Sequence, residues 1–234
     1  MNAFFKPNKT FLHPKNLLRF FLVSLALLGV FLFVGCKKQN IRYDQYVSEL
    51  RSNIFLAETE TLSVRIYSVT KETPYVADGV PQESSPRTEV YLVAPEGDEV
   101  CALTFMVGGK EYGGEMSFDN VRAEYYFYCT LDTSALREIV CKINYGGTEC
   151  ELTATSVRTE STLSPSAILN GLLVAEQPLF AGLTDKYGFA GEIYVRLIFE
   201  EKPYYYVGVI DRNGNITAFL INGETGKILA KRTS

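Results

Sequence analysis

The chain has 234 residues, 47% of them hydrophobic and 21% charged, with 23 Lys and Arg against 27 Asp and Glu and a formal charge of −4. This acidic balance offers no phosphate-binding surface and argues against nucleic acid as a partner. The one histidine is His13, so the chain beyond it has no imidazole for Ser-His-Asp or Cys-His nucleophiles or for the usual zinc sites.

Residues 1–19 carry Lys6, Lys9, Lys15 and Arg19 and no acid, and they lead into a run at 20–34 that is apolar except for Ser24. Its fifteen residues, at about 1.5 Å each, span roughly 22 Å, short of the about 30 Å of hydrocarbon a spanning helix crosses. The pattern suits a secretory signal better than a permanent span. It ends in Phe33-Val34-Gly35-Cys36, which resembles the lipobox of bacterial lipoproteins, with Phe33 where leucine is usual. The resemblance implies that residues 1–35 are removed as a lipoprotein signal peptide. Cys36 is then the acylated first residue of a chain held on the extracytoplasmic face of a bacterial membrane, and two acyl chains suffice for stable anchoring. The alternative is an uncleaved anchor that ends in a chance cysteine. Without residues 1–35 the chain keeps 19 basic and 27 acidic residues, a formal charge of −8.

A polar tether at 36–43 precedes the folded part. Tyr46, Val47, Leu50 and Ile54 recur at helical spacing behind Asp44, a candidate N-cap, and predict a helix of two to three turns. From Thr61 the period becomes two, and strands are expected over 62–69, 88–94, 99–107, 114–120, 123–131, 138–145 and 148–157. Residues 73–86, with Pro74, Pro81 and Pro86, are expected to form a loop or edge excursion. Short strands without interleaved helices make 44–157 resemble immunoglobulin-like or fibronectin-like β-sandwiches in pattern, although the chain has no tryptophan.

Four cysteines follow Cys36: Cys101, Cys129, Cys141 and Cys150. If Gly146-Gly147 makes a two-residue turn, Cys141 lies opposite Leu152 and Cys150 opposite Ile143. The two cysteines are then diagonal neighbours about 7–8 Å apart, too far for an unstrained bridge. Buried thiols are the reading for Cys141 and Cys150, and Cys101 with Cys129 is the better disulfide candidate.

Residues 158–164 turn polar and mark a domain boundary. Ser164 and Pro165 can cap and open a helix whose apolar face is Ile168, Leu169, Leu172, Leu173 and Ala175, with Pro178 breaking or restarting it. Strands are expected over 192–200, 204–211, 216–222 and 227–231, with Asn213-Gly214 as a tight turn. The helix, the hairpin and the ending Ile221-Asn222-Gly223-Glu224-Thr225-Gly226-Lys227-Ile228 resemble PepSY-like domains of secreted and lipid-anchored bacterial proteins, over 164–234. That resemblance implies protease inhibition or modulation of neighbours at the cell surface. The motif by itself is a turn, with Gly226 at positive φ and Asn222 and Thr225 satisfying local backbone groups. The fold class expected is mostly β with α+β: an N-terminal sandwich followed by a small helix-plus-antiparallel-sheet domain.

Two aromatic runs stand out, Tyr125-Tyr126-Phe127-Tyr128 and Tyr204-Tyr205-Tyr206. Alternate members must face opposite sides of a strand, and exposed tyrosines suit protein or glycan binding, although tyrosine is also a good strand residue. The candidate binding surface is therefore Tyr125, Tyr126, Tyr128, Tyr204, Tyr205 and Tyr206. The acidic turns Glu96-Gly97-Asp98-Glu99 and Asp211-Arg212-Asn213-Gly214-Asn215 lack the ligand spacing of a calcium loop and are expected to be solvated turns. No catalytic residue, metal or cofactor is expected. The function expected is a lipid-anchored protein that binds a protein or envelope component and modulates a protease. The alternative is an envelope hydrolase with paired carboxylates.

Overall fold

The computed structural model describes residues 41–95 and 99–234. The apolar run, the lipobox with Cys36 and most of the tether lie outside the described residues, as do Glu96, Gly97 and Asp98 of the first acidic turn. Among the described residues no helix is long and apolar enough to cross a membrane. The chain is mostly β, and Ile41–Ser234 makes one compact unit.

The helix expected behind Asp44 is corrected to one 3-10 turn, Tyr43–Tyr46, followed by strand β1, Val47–Glu58. The reason is in the register. Between Val47 and Glu49 and again between Arg51 and Asn53 the pairing shifts, as at a β-bulge. Each shift resets the alternation of faces. The first shift thereby lets Val47 and Leu50 meet one core from a strand, and Ile54 reaches the same core from beyond the second, at a spacing that mimics a helix.

Strands β2 (Ser63–Glu72), β3 (Ser84–Val93), β4 (Cys101–Val107), β5 (Lys110–Glu115), β6 (Ser117–Asp119), β7 (Glu124–Cys129), β8 (Glu138–Tyr145) and β9 (Thr148–Ser156) follow. β3 starts two residues before Pro86, inside the stretch expected to be a loop. Pro86 faces Thr70 of β2, while β7 borders β3 only over residues 88–92. At Pro86 one flank of the strand is open, the setting in which a sheet tolerates proline. The Gly146-Gly147 hairpin forms as expected, with Cys141 opposite Leu152 and Ile143 opposite Cys150.

Helix α1 (Pro165–Ala175) starts at Ser164, whose Oγ accepts from Ala167 N at 3.2 Å, and it buries Ile168, Leu169 and Leu172. α2 (Gln177–Gly182) restarts at Pro178. A short hairpin that the pattern did not signal, β10 (Thr184–Asp185) with β11 (Gly188–Phe189), precedes β12 (Gly191–Phe199), β13 (Pro203–Asp211), β14 (Ile216–Asn222) and β15 (Ile228–Thr233).

All strands except the short hairpin belong to one sheet of 13, in the order β15-β14-β13-β12-β1-β2-β3-β7-β6, with β9, β8, β4 and β5 branching from β1. Every pairing is antiparallel except β1 with β12. Two cores result. One lies between α1, α2 and β12–β14 and includes Tyr205, Phe219 and Phe180. The other gathers Phe55, Ile66, Leu92, Leu103, Phe105 and Ile143 from both branches, so the sheet curls over it.

The four cysteines are free thiols, and the Cys101–Cys129 disulfide is corrected. β4 pairs with β5 and β8 whereas β7 pairs with β3 and β6, so the two residues sit on strands that are not neighbours. The Cys101 thiol instead donates to Met116 Sδ at 3.7 Å. Burial pushes Cys101 up to about 11 and Cys141 up to about 12, which keeps both as inert thiols.

Candidate functional site

Strand alternation divides the two tyrosine runs. Tyr125 is only 4% exposed, inside the curled core, and its hydroxyl donates to Glu99 O at 2.9 Å. Tyr205 is 0% exposed and donates to Leu163 O at 2.8 Å. Both are core residues and leave the candidate surface, because in each run the neighbours on either side occupy the outward face.

The outward face is built by register, since residues paired across strands share a side. Tyr91 lies opposite Arg65 and Tyr126, and Glu89 lies opposite Tyr67 and Tyr128. The result is a ladder in which ring centroids are 5.3 Å apart for Tyr67 and Tyr91, 5.0 Å for Tyr91 and Tyr126 and 5.7 Å for Tyr126 and Tyr128. A guanidinium lies over each end: Arg51 at 4.1 Å from the Tyr67 centroid and Arg87 at 4.5 Å from that of Tyr128. Such contacts contribute about 0.5–1 kcal/mol each at exposed sites. Tyr128 is 53% exposed, and the other three rings are half-buried.

Charges on this face are locally matched. The Lys71 ammonium pairs with the buried carboxylate of Glu89, which also accepts from the Tyr91 hydroxyl at 3.1 Å. Arg65 Nη2 meets Glu124 Oε2 at 2.5 Å. Burial, then the nearby Glu89 charge, pushes Tyr126 up to about 12 and raises Tyr91 further. Both phenols therefore stay protonated, as hydrogen-bond donors, at ordinary pH. Beside Tyr126 an open hollow of about 390 Å³ is lined by Lys71, Tyr91, Phe118, Arg122 and Glu124, among others.

Across β1 the face continues to the second run. Arg51 pairs in register with Arg196, and Arg196 with Tyr206. Tyr194 and Tyr206 stack at 5.7 Å, with the Arg196 guanidinium 4.3 Å from the Tyr194 centroid and its Nη2 2.6 Å from Glu49 Oε2. Gly208 makes the room, because a Cβ there would fall 1.9 Å from Tyr194 Cζ. Tyr204 is half-buried, with the Lys202 ammonium 6.0 Å over its ring.

Residues 73–83 act as a strap next to this second group. Glu192, 0% exposed, accepts from Ser48 Oγ at 2.7 Å, from Gly79 N at 2.8 Å and from the Tyr75 hydroxyl at 3.4 Å. Glu72 is also buried, and its pKa is raised by that burial and by the Glu192 and Asp78 charges. These two carboxylates are closed off from solvent in this arrangement. The Asp211 turn is likewise closed: its carboxylate accepts from Asn213 N at 2.8 Å, from Asn215 N at 2.9 Å and from Asn215 Nδ2 at 2.8 Å. In the turn between β14 and β15, Asn222 Oδ1 accepts from Glu224 N and Thr225 N at 3.0 and 2.9 Å, and Gly226 has φ 69°, the turn expected.

Tyr67, Tyr91, Arg51, Arg65 and Arg87 were not among the expected site residues. The available signal was the alternation in Arg65-Ile66-Tyr67 and Glu89-Val90-Tyr91, which puts these side chains opposite the core positions. Compared with family models, with curated proteins and with solved structures, the chain matches none.

Proposed function

We propose that this chain is a lipid-anchored extracytoplasmic binding module of a bacterial envelope, and that it contacts a protein or envelope component through the outer tyrosine face. The observation that carries the reading is the ladder Tyr67, Tyr91, Tyr126 and Tyr128 with a guanidinium over each end. Aromatic side chains with a polar tip and Arg are the types enriched at binding surfaces and at their hot spots. The curled half is read as a sandwich-like scaffold for this face, and the C-terminal half as a PepSY-like module that modulates a neighbouring protease.

A benzophenone cross-linking residue installed at Tyr128 tests the binding reading in host cells, with Val174, 82% exposed on α1, as the control position. Adducts are expected from position 128 and not from 174. Equal yields at the two positions, or none at either, would count against the face. The anchor is checked separately by intact mass and membrane partition. The native protein is expected to start at an acylated Cys36, and Cys36→Ala to lose both the acyl mass and the membrane fraction; a chain that retains residues 1–35 would refute the anchor.

A further inference from the structure

We propose that the hollow where β9 leads towards α1 is a binding site for a tetrahedral oxyanion, a phosphate ion or the phosphoryl group of a small phosphate ester, held by Arg137 and Arg158. The site shares no residue with the tyrosine ladder and does not depend on the binding reading above.

The hollow is built around Asn53, which is 1% exposed at the second register shift of β1. Its Nδ2 donates to Ser134 O at 3.3 Å and to Leu136 O at 3.1 Å, which holds the loop ahead of β8. Its Oδ1 accepts from Ser156 Oγ at 2.7 Å, which holds the end of β9. Ser156 N donates to Arg137 O at 2.8 Å, and Ser156 Oγ accepts from Arg158 N at 3.2 Å. The Asn53 and Ser156 side chains are thus spent on fixing the walls. Two arginines from separate segments, Arg137 before β8 and Arg158 after β9, then line one cavity of about 210 Å³ with Ser134 and Glu160.

Both guanidiniums are uncommitted. Among the described residues no carboxylate lies within ion-pair distance of either, Glu160 included. Arg158 Nε is closed off from solvent and donates to no group of the protein. Arg51 and Arg196 also bury an Nε without an acceptor, but their guanidiniums are occupied, Arg51 against the Tyr67 ring and Arg196 with Glu49. Arg158 has neither kind of partner among the described residues. A buried charged donor left unpaired is costly, and an anion in the hollow supplies the acceptor. The lining carries two bases and one acid, a charge of +1, in a chain whose described residues sum to −8.

The size and the donor set name the ligand. The hollow is smaller than the about 300–1,000 Å³ of pockets for drug-sized ligands, so it takes a small group and not a polymer chain. The Ser134 hydroxyl, which has no partner among the described residues, adds a third donor to the two guanidiniums at the cavity. Two planar forks and a hydroxyl exceed what the two oxygens of a carboxylate accept and suit the three or four oxygens of a phosphoryl group.

The test titrates the full chain in detergent with inorganic phosphate, with glycerol 3-phosphate and with acetate at matched ionic strength, and follows the Arg158 Nε–H resonance by NMR. Phosphate is expected to bind at a single site, to move that resonance and to bind more weakly as chloride rises. Arg137→Gln and Arg158→Gln are each expected to raise its Kd about tenfold or more, whereas Arg232→Gln, exposed on β15, leaves it unchanged. Tighter binding of glycerol 3-phosphate than of phosphate supports an ester as the occupant, and the reverse order supports the free ion. Acetate binding as tightly as phosphate would overturn the tetrahedral class. No binding of phosphate, or binding that leaves the Arg158 resonance unmoved, would overturn the site. Arg137 is an exposed loop residue, so its variant decides the matter even where Arg158→Gln fails to fold.

Discussion

Tyr205→Ala is expected to destabilise the fold by about 3–5 kcal/mol, the cost of emptying a large buried aromatic site. The residue is fully buried among Phe219, Val207 and Leu197, and its hydroxyl satisfies the Leu163 carbonyl where the chain enters α1. For a chain of this size each kcal/mol shifts Tm by roughly 2–4 °C, so a fall of about 10 °C is expected in a thermal melt. Tyr205→Phe keeps the packing and leaves one buried carbonyl without its donor, at about 1–3 kcal/mol. Tyr128→Ala, on the exposed face, is expected to cost only about 1 kcal/mol, from the lost contact with Arg87 and the stack on Tyr126. Equal losses for Tyr205→Ala and Tyr128→Ala would show that the division of tyrosines between core and face is wrong.

Glu192→Ala is the second large effect, at roughly 2–4 kcal/mol, because it strips the shared acceptor from three donors, of which Ser48 alone has a second acceptor, Ile193 O at 3.4 Å. Ser48, Tyr75 and Gly79 all converge on that carboxylate. Gly79 also pins the strap sterically: it sits at φ 79°, and a Cβ there would come 2.6 Å from Asp211 O. The expected readout is faster hydrogen exchange in peptides spanning 73–83, with β15 unchanged. Protection of 73–83 that survives the substitution would mean that the strap is held by something other than Glu192.

Local signals carried far in this chain. Ser164-Pro165 announced α1, Gly146-Gly147 the β8–β9 turn with its register, and Asn222 to Gly226 the final turn, because caps and tight turns depend on the few residues that form them. β1 was misread for the opposite reason. Two bulges broke its period of two, and bulges follow from the neighbours it pairs with, β12 on one side and β2 on the other. The face was half legible: Tyr126 and Tyr128 stood out as a cluster, whereas Tyr67 and Tyr91 are isolated in sequence and join them only once β2, β3 and β7 lie side by side.

What the sequence determined by itself was therefore the mostly-β character, most of the strands after β1 apart from β5 and the β10–β11 hairpin, the helix cap and the absence of imidazole beyond His13. Those depend on composition, side-chain period and backbone preference within a few residues. The tertiary structure alone decided that β1 and β12 run parallel, that Tyr125 and Tyr205 turn inward, that Cys101 and Cys129 stay apart, and that Arg51 and Arg87 flank one ladder. Each of these is set by pairing between segments distant in the chain, and cross-strand neighbours follow from which strands find one another and in what register.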